Sequence, residues 1–305
     1  MNDQTQVAVT SRSFSRNLNL REELLCRYKN VIFNDKGLKL EGDSLVDFLQ
    51  GSSKAITALE KIDRNILSRL PELKLISKYG VGIDMIDANA MTEFNVKLSW
   101  EGGVNRRSVS ELVVSFAISL LREVPMANKE VISGIWRQHV GNYLSESVFG
   151  IIGCGFIGKD LVKLLQPFNC KILVYDLIDY KDFNIRNNIS FVSLEELLSK
   201  SDIVSIHTPL DQSTRNLLSN SKLALMKSTA ILINTARGGL LDELALKKML
   251  TDGKLHAAAI DVFETEPPDD KELLELKNVI VTPHIAGSAT EAILAMGRAA
   301  INGLG

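Results

Sequence analysis

Residues 148–176 hold the most restrictive pattern in the chain. An apolar run, VFGII, passes into GCGFIG, where Gly153, Gly155 and Gly158 keep G-x-G-x-x-G spacing. A helical pattern, FIGKDLVKLL, follows, and a second apolar run, KILVYD, ends on Asp176. The glycines let backbone approach a pyrophosphate, and the helix N-terminus favours the anion. An acid at the end of the next strand binds both ribose hydroxyls of a dinucleotide and repels a 2′-phosphate. No arginine follows Asp176 directly (Leu177, Ile178 and Asp179 come next), so the cofactor expected is NAD. A bare glycine turn with a solvated aspartate is the competing account, and the strand–loop–helix–strand context disfavours it. Cys154 reads as a small side chain that fits the loop.

That pattern sits in a longer alternation. Short apolar runs (QVAVTS, NVIFN, KAITAL, LKLIS and NVKLS, then FGIIG, KILVYD, IVSIH, AILIN, AAAIDV and NVIVTP) alternate with amphipathic stretches such as NLREELLCRY and RNILSRL. This is the signature of α/β architecture, a parallel sheet wrapped in helices. A long helical pattern over Val109–Leu121 separates two such series, Ser193 and Glu196 form a capping box, and SATEAILAMGRAAINGLG reads as a last helix.

Composition narrows the function class. At 305 residues the chain can build two cores, and a net charge of −2 argues against nucleic acid as a partner. Cys26, Cys154 and Cys170 are scattered and lack ligand spacing, so no metal site and a reducing, cytoplasmic setting are expected. The N-terminus lacks the basic-then-apolar order of a signal peptide, and VVSFAISLL is too short to span a bilayer.

Ligands of open α/β sheets bind beyond the carboxyl ends of the strands. Arg237 ends AILINTARGG, Glu266 follows AAAIDVF, and His284 ends NVIVTPH. A guanidinium matches a carboxylate and polarises a carbonyl oxygen. Histidine is the natural proton donor near neutral pH, and a neighbouring carboxylate stabilises its charged form. Each alone could be an ion pair, a capped turn or a core histidine; three at neighbouring strand ends are harder to explain as scaffold.

With these residues in place the sequence resembles the D-isomer-specific 2-hydroxyacid dehydrogenases, near the phosphoglycerate dehydrogenase branch. The resemblance runs from about Val7 to about Ala300 and rests on SKYGVGIDMID, VFGIIGCGFIGK, HTPL, NTARGGLLDE, AAIDVFETEPP and TPHIAGSATEA. It implies two similar doubly wound parallel-sheet domains, a Rossmann-type nucleotide domain (101–285) inserted in a flavodoxin-like substrate domain (1–100), with 286–305 folding back onto the latter. It places the active site in the cleft between them and implies a homodimer through the nucleotide domain, with an arm around Trp136. Carried over by motif, Arg237 binds the substrate carboxylate and carbonyl, His284 is the general acid–base, and Glu266 holds it. Gly153, Gly155, Phe156, Ile157 and Gly158 meet the pyrophosphate, and Asp176 the ribose. Thr208 and Pro209 line the cofactor cleft. Thr235, Ala236 and Asp261 fall on the nicotinamide side, Asp261 on the carboxamide, and His284 and Gly287 also bind the cofactor. Gly80, Val81, Gly82 and Asn105 serve the substrate. His207 is structural, and His139 and His256 are surface or packing residues.

Two stretches depart from the branch. Ala58, Leu59 and Glu60 stand where an arginine–serine pair holds a phosphate, and a glutamate repels one. In GGVNRRSVSEL, Asn105 reads as an N-cap, so Arg106 and Arg107 oppose the helix dipole, at about 0.3–1 kcal/mol each. One of them is expected to meet a second acidic group of the substrate or the pyrophosphate, unless both are exposed or pair at a dimer surface. The overall expectation is an NAD-dependent enzyme acting on a small 2-hydroxy or 2-keto acid. The alternative is an NAD(H)-sensing, co-repressor-like binding protein. Such proteins carry long disordered extensions, whereas this chain ends at Gly305, which lowers that alternative. A third reading keeps the chemistry with a small inorganic or C1 acid as substrate.

Overall fold

The computed structural model describes residues 5–305. Contacts divide them into two compact units: the residues up to Asn105 together with Ser288–Gly305, and Arg106–Gly287.

The first unit is built on β1 (Val7–Val9), β2 (Val31–Phe33), β3 (Lys54–Thr57), β4 (Leu75–Lys78) and β5 (Lys97–Ser99), all paired in parallel in the order β2-β1-β3-β4-β5. Side chains alternate across a strand, so each sheet face receives its own core. Ala8, Ala55 and Ile76 join Leu45, Leu49 and Leu67 on one side. Val7, Val9 and Ile56 join Phe14, Leu20 and Tyr28 on the other. The helix Thr290–Asn302 belongs to this second layer: Ala300 and Ile301 pack there, Ser77 Oγ donates to Ala300 O at 2.7 Å, and Arg298 pairs with Glu23.

The second unit holds β6 (Val148–Ile152), β7 (Lys171–Tyr175), β8 (Ser190–Phe191), β9 (Ile203–Ile206), β10 (Ile231–Asn234), β11 (Ala257–Ile260) and β12 (Val279–Val281). Their order is β12-β11-β10-β9-β6-β7-β8, parallel throughout, so it reverses between β6 and β9. Ile152, Val204, Leu232 and Ala258 feed one core, and Ile151, Ile203, Ile233 and Ala259 the other. A sheet covered on both faces explains why these strands read as unbroken apolar runs.

The helix Arg106–Leu121 forms despite four valines and isoleucines. Their propensity penalty is a few tenths of a kcal/mol each. Burial of Val109, Val113, Phe116 and Leu120 contributes about 1.5–3 kcal/mol per side chain and wins. At Ser193 only half of the expected capping box is made. The hydroxyl accepts from Glu196 N, while the Glu196 carboxylate pairs with Lys200 instead.

Candidate active site

The glycine loop lies at the reversal of strand order. Gly153 has φ +94, and a Cβ there would come within 2.8 Å of the His207 backbone. A Cβ on Gly158 would sit 2.2 Å from Gly153 O, so the third glycine lets the helix Phe156–Leu165 close onto its strand. Gly155 faces open space at the N-terminus of that ten-residue helix, where backbone can approach an anion. Asp176 is half-buried beyond β7, its carboxylate accepting from Cys154 N (2.6 Å) and Ile178 N (2.9 Å), so it is fastened to the loop.

Thr208 and Thr235, just beyond β9 and β10, each carry a buried hydroxyl without a hydrogen-bond partner among the described residues. Buried polar groups are normally paired. Two orphans beside the glycine loop and the strand ends therefore fit a bound dinucleotide. Phe156 and Pro209 are exposed, while Ile157, Ala236 and Gly287 are half-buried. His207 is held by Ser205 (Oγ–Nε2 2.8 Å), and burial pushes its pKa down to about 3, so it stays neutral.

Arg237, Glu266 and His284 follow β10, β11 and β12, three adjacent strands. His284 Nδ1 meets Glu266 Oε2 at 2.9 Å and Oε1 at 3.2 Å. Burial raises the Glu266 pKa, but the His284 bond and charge, the Phe263 N–H and the Arg237 charge outweigh it and leave the carboxyl below its ordinary value. The Arg237 charge is the smallest of these contributions. His284 itself has φ +54, a left-handed backbone that costs a non-glycine residue about 1–2 kcal/mol.

The Arg237 turn is braced by a residue that motif reading passed over. Asn234, 1% exposed, donates from Nδ2 to Arg237 O (2.8 Å) and accepts at Oδ1 from Ala236 N (3.1 Å). A strand-end asparagine is the only sequence signal for it. Gly238 has a different duty: a Cβ there would lie 1.9 Å from Phe263 C and 2.1 Å from Glu264 N. Only glycine lets the Arg237 turn lie against the loop leading to Glu266.

Asp261, expected on the carboxamide, is 0% exposed, and its carboxylate is taken up by the His284 loop. Asn105 is buried with Oδ1 lacking a partner among the described residues, so the side-chain cap read from the sequence is not made. Arg107 pairs with Asp160 at 3.0 Å, so an acid of the chain itself answers this helix-start cation. Of the surface and packing readings of His139, packing is the one met: its ring lies between Glu123 (2.6 Å) and Glu130 (2.8 Å).

In the first unit, Gly80 has φ +117, and Trp100 Nε1 donates to Val81 O at 2.8 Å, fixing the Gly80-Val81-Gly82 turn. Glu60 folds back so that Oε2 accepts from Ala58 N (2.6 Å). Lys78, which the sequence did not mark, is 4% exposed and donates to Ala58 O (2.5 Å) and Tyr79 O (3.3 Å). No cluster suited to a metal ion occurs among the described residues, and none of their helices is long and apolar enough to cross a membrane.

Residues 114–286 match the family described as D-isomer specific 2-hydroxyacid dehydrogenase, NAD binding domain. The chain is 38% identical over 240 residues to a D-3-phosphoglycerate dehydrogenase of Methanocaldococcus jannaschii, a match covering 78% of this chain and 46% of that one. It therefore spans about half the length of that relative. A glyoxylate reductase of Thermofilum pendens is 39% identical over 241 residues, with coverage of 76% and 71%. Among solved structures, the D-lactate dehydrogenase of Aquifex aeolicus complexed with NAD and lactic acid aligns with a TM-score of 0.86 at 25% identity. That alignment covers 98% of this chain and 94% of the other.

Proposed function

The chain belongs to the D-isomer-specific 2-hydroxyacid dehydrogenases, and from that membership we propose that it is an NAD-dependent enzyme interconverting a small 2-keto acid and its 2-hydroxy acid. The observation that carries the reading is the His284–Glu266 hydrogen bond, at strand ends next to the one that carries Arg237. When bound, NADH supplies the hydride that reduces C2 of the keto acid. Gly155 and the helix start behind it hold the pyrophosphate, Asp176 takes the adenosine ribose, and the Thr208 and Thr235 hydroxyls find partners on the dinucleotide.

The protein's part is proton management and charge. Nδ1 of His284 donates to Glu266, which leaves Nε2 as the nitrogen that hands a proton to the substrate oxygen and recovers it in oxidation. Glu266 stabilises the imidazolium that this exchange requires. Arg237 grips the carboxylate with its fork and stabilises charge building on the oxygen. For the first unit the proposal is limited to the N–H groups of Gly80, Val81 and Gly82 and the unpartnered Asn105 Oδ1 as substrate-binding groups. The Glu60 carboxylate stands on the Ala58 turn, which favours an unphosphorylated acid.

The same reading includes a homodimer in the cytoplasm. The segment after Val124 exposes Ile132, Trp136 (86%), Val140 (93%) and Tyr143, an apolar set suited to a second copy. The deciding assay is NADH oxidation against glyoxylate, hydroxypyruvate, 2-oxoglutarate and phosphohydroxypyruvate. Turnover with an unphosphorylated acid is expected. Silence across the panel with tight NADH binding would overturn the catalytic reading.

A further inference from the structure

After the helix Val124–Ile132 the chain runs without regular structure from Ile135 to Tyr143. Backbone bonds tie the two ends of this stretch: Ile135 N donates to Glu130 O (2.8 Å) and Asn142 N to Leu121 O (3.0 Å). Among the described residues, two side chains fasten what lies between. Arg137 pairs with Glu130 Oε1 at 3.2 Å, and His139 reaches two carboxylates, Glu123 Oε2 from Nδ1 and Glu130 Oε2 from Nε2. The His139 side chain is 7% exposed, although Gln138 and Val140 on either side of it are exposed.

An ionised carboxylate only accepts hydrogen bonds, and a neutral imidazole carries a single N–H. Two bonds to carboxylates therefore require the imidazolium. Loss of the proton aims a ring lone pair at one carboxylate, and that contact opens. Glu130 keeps Arg137, whereas the other neighbour of Glu123, His256 Nε2, stands 3.9 Å away, beyond hydrogen-bond reach. The remaining nearby cations are Lys277, which lines a small cavity with Glu123 and His256, and Arg122, which packs against Gly141. Among the described residues neither pairs with the two carboxylates. We propose that His139 is a proton-dependent latch: its imidazolium holds residues 136–141 against the helix Val124–Ile132 and so presents Trp136 and Val140 to a second copy of the chain, whose association weakens as pH rises. A released segment has to be ordered again on association, at a cost in conformational entropy. The bonds to Glu130 and Glu123 raise the His139 pKa above its ordinary value, so the latch is fully closed below about pH 6.5 and opens as pH rises through the folded value.

This inference rests on the dimer reading, so its test has an arm independent of association. In the first arm the dimer Kd of the full chain is measured by sedimentation velocity at about pH 6 and about pH 9. Wild type should weaken at least tenfold at the higher pH, and His139→Gln should be weak at both. Glu123→Gln is the deciding variant. Its amide donates to Nδ1 of a neutral ring while Nε2–H still donates to Glu130, so its dimer should stay tight at the higher pH. In the second arm, at dilutions where the chain is monomeric, trypsin cleavage after Arg137 is compared with cleavage of a free peptide of residues 133–143. The peptide cancels the pH dependence of the protease. The relative rate should rise at least tenfold in wild type between the two pH values, stay low in Glu123→Gln and be high throughout in His139→Gln. A wild-type ratio that does not change with pH overturns the latch, and so does a Glu123→Gln chain that opens as wild type does. A ratio that rises while the Kd stays constant overturns the link to association. A wild type monomeric at both pH values ends the dimer reading, while the cleavage arm still decides the latch.

Discussion

His284 and Glu266, on loops after adjacent strands and 18 residues apart, are joined by a hydrogen bond of 2.9 Å between Nδ1 and Oε2. That bond fixes which ring nitrogen faces the carboxylate, and so which one faces outward. His284→Ala should lower kcat by roughly 10²–10⁴-fold, the range for losing a general acid–base. Glu266→Gln, which keeps a hydrogen bond but removes the charge, should fall between that variant and wild type. Steady-state NADH oxidation checks both, and a near-wild-type rate in His284→Ala sinks the assignment.

Arg237 is half-buried on a turn braced by Asn234 and Gly238, so a lysine there would have room but no fork. Arg237→Lys should reduce kcat/KM for the keto acid about 10²-fold, matching the loss of one charged hydrogen-bonding pair of roughly 1.5–3 kcal/mol. NADH affinity, measured by fluorescence titration, should stay within threefold. A variant that loses NADH and keeps the acid would contradict the role.

Asp176 is anchored through Cys154 N and Ile178 N, which holds its charge at the place assigned to the adenosine ribose. Wild type should prefer NADH over NADPH by at least about tenfold, since a carboxylate repels a 2′-phosphate. Asp176→Ala should shrink that ratio by an order of magnitude. Parallel kcat/KM measurements with the two cofactors decide it, and an unchanged ratio refutes the placement.

Two histidines make opposite claims on stability. His207, with its pKa pushed down to about 3 by burial, cannot take up in the folded chain the proton that the unfolded chain binds near pH 6.5. Its contribution is complete above about pH 6.5 and is lost as pH falls toward 3, by up to about 1.4 kcal/mol per unit. His139 is raised above its ordinary value by its bonds to Glu130 and Glu123, against burial. Its contribution is complete below about pH 6.5 and is lost as pH rises through the folded value. Melting temperatures should fall on both sides, with His207→Gln flattening the acid limb and His139→Gln the alkaline one. Limbs identical to wild type would remove either histidine from the account.

Trp136 is 86% exposed in a segment that also exposes Ile132, Val140 and Tyr143. Trp136→Glu should shift the mass measured by light scattering from dimer to monomer at micromolar concentration, without loss of secondary structure. A wild-type chain already monomeric would remove the dimer from the proposal.

Much of this protein was legible along the chain. Each apolar run became a strand because a sheet covered on both faces needs no polar alternation, and AAAI at residues 257–260 is a strand despite the helix preference of alanine because β10 and β12 flank it. The glycine loop, Asp176 and the three strand-end groups could be read from spacing, since strand ends and G-x-G-x-x-G are local geometry. The partners could not. Arg107 pairs with Asp160 across 53 residues, Asp261 is consumed by a loop 21–25 residues on, and Glu60 turns back onto Ala58. Periodicity and turn chemistry set which residues stand at a strand end. The order of strands in the sheet sets which strand ends are neighbours, and so which donor a buried carboxylate meets; that was decided only by the tertiary structure.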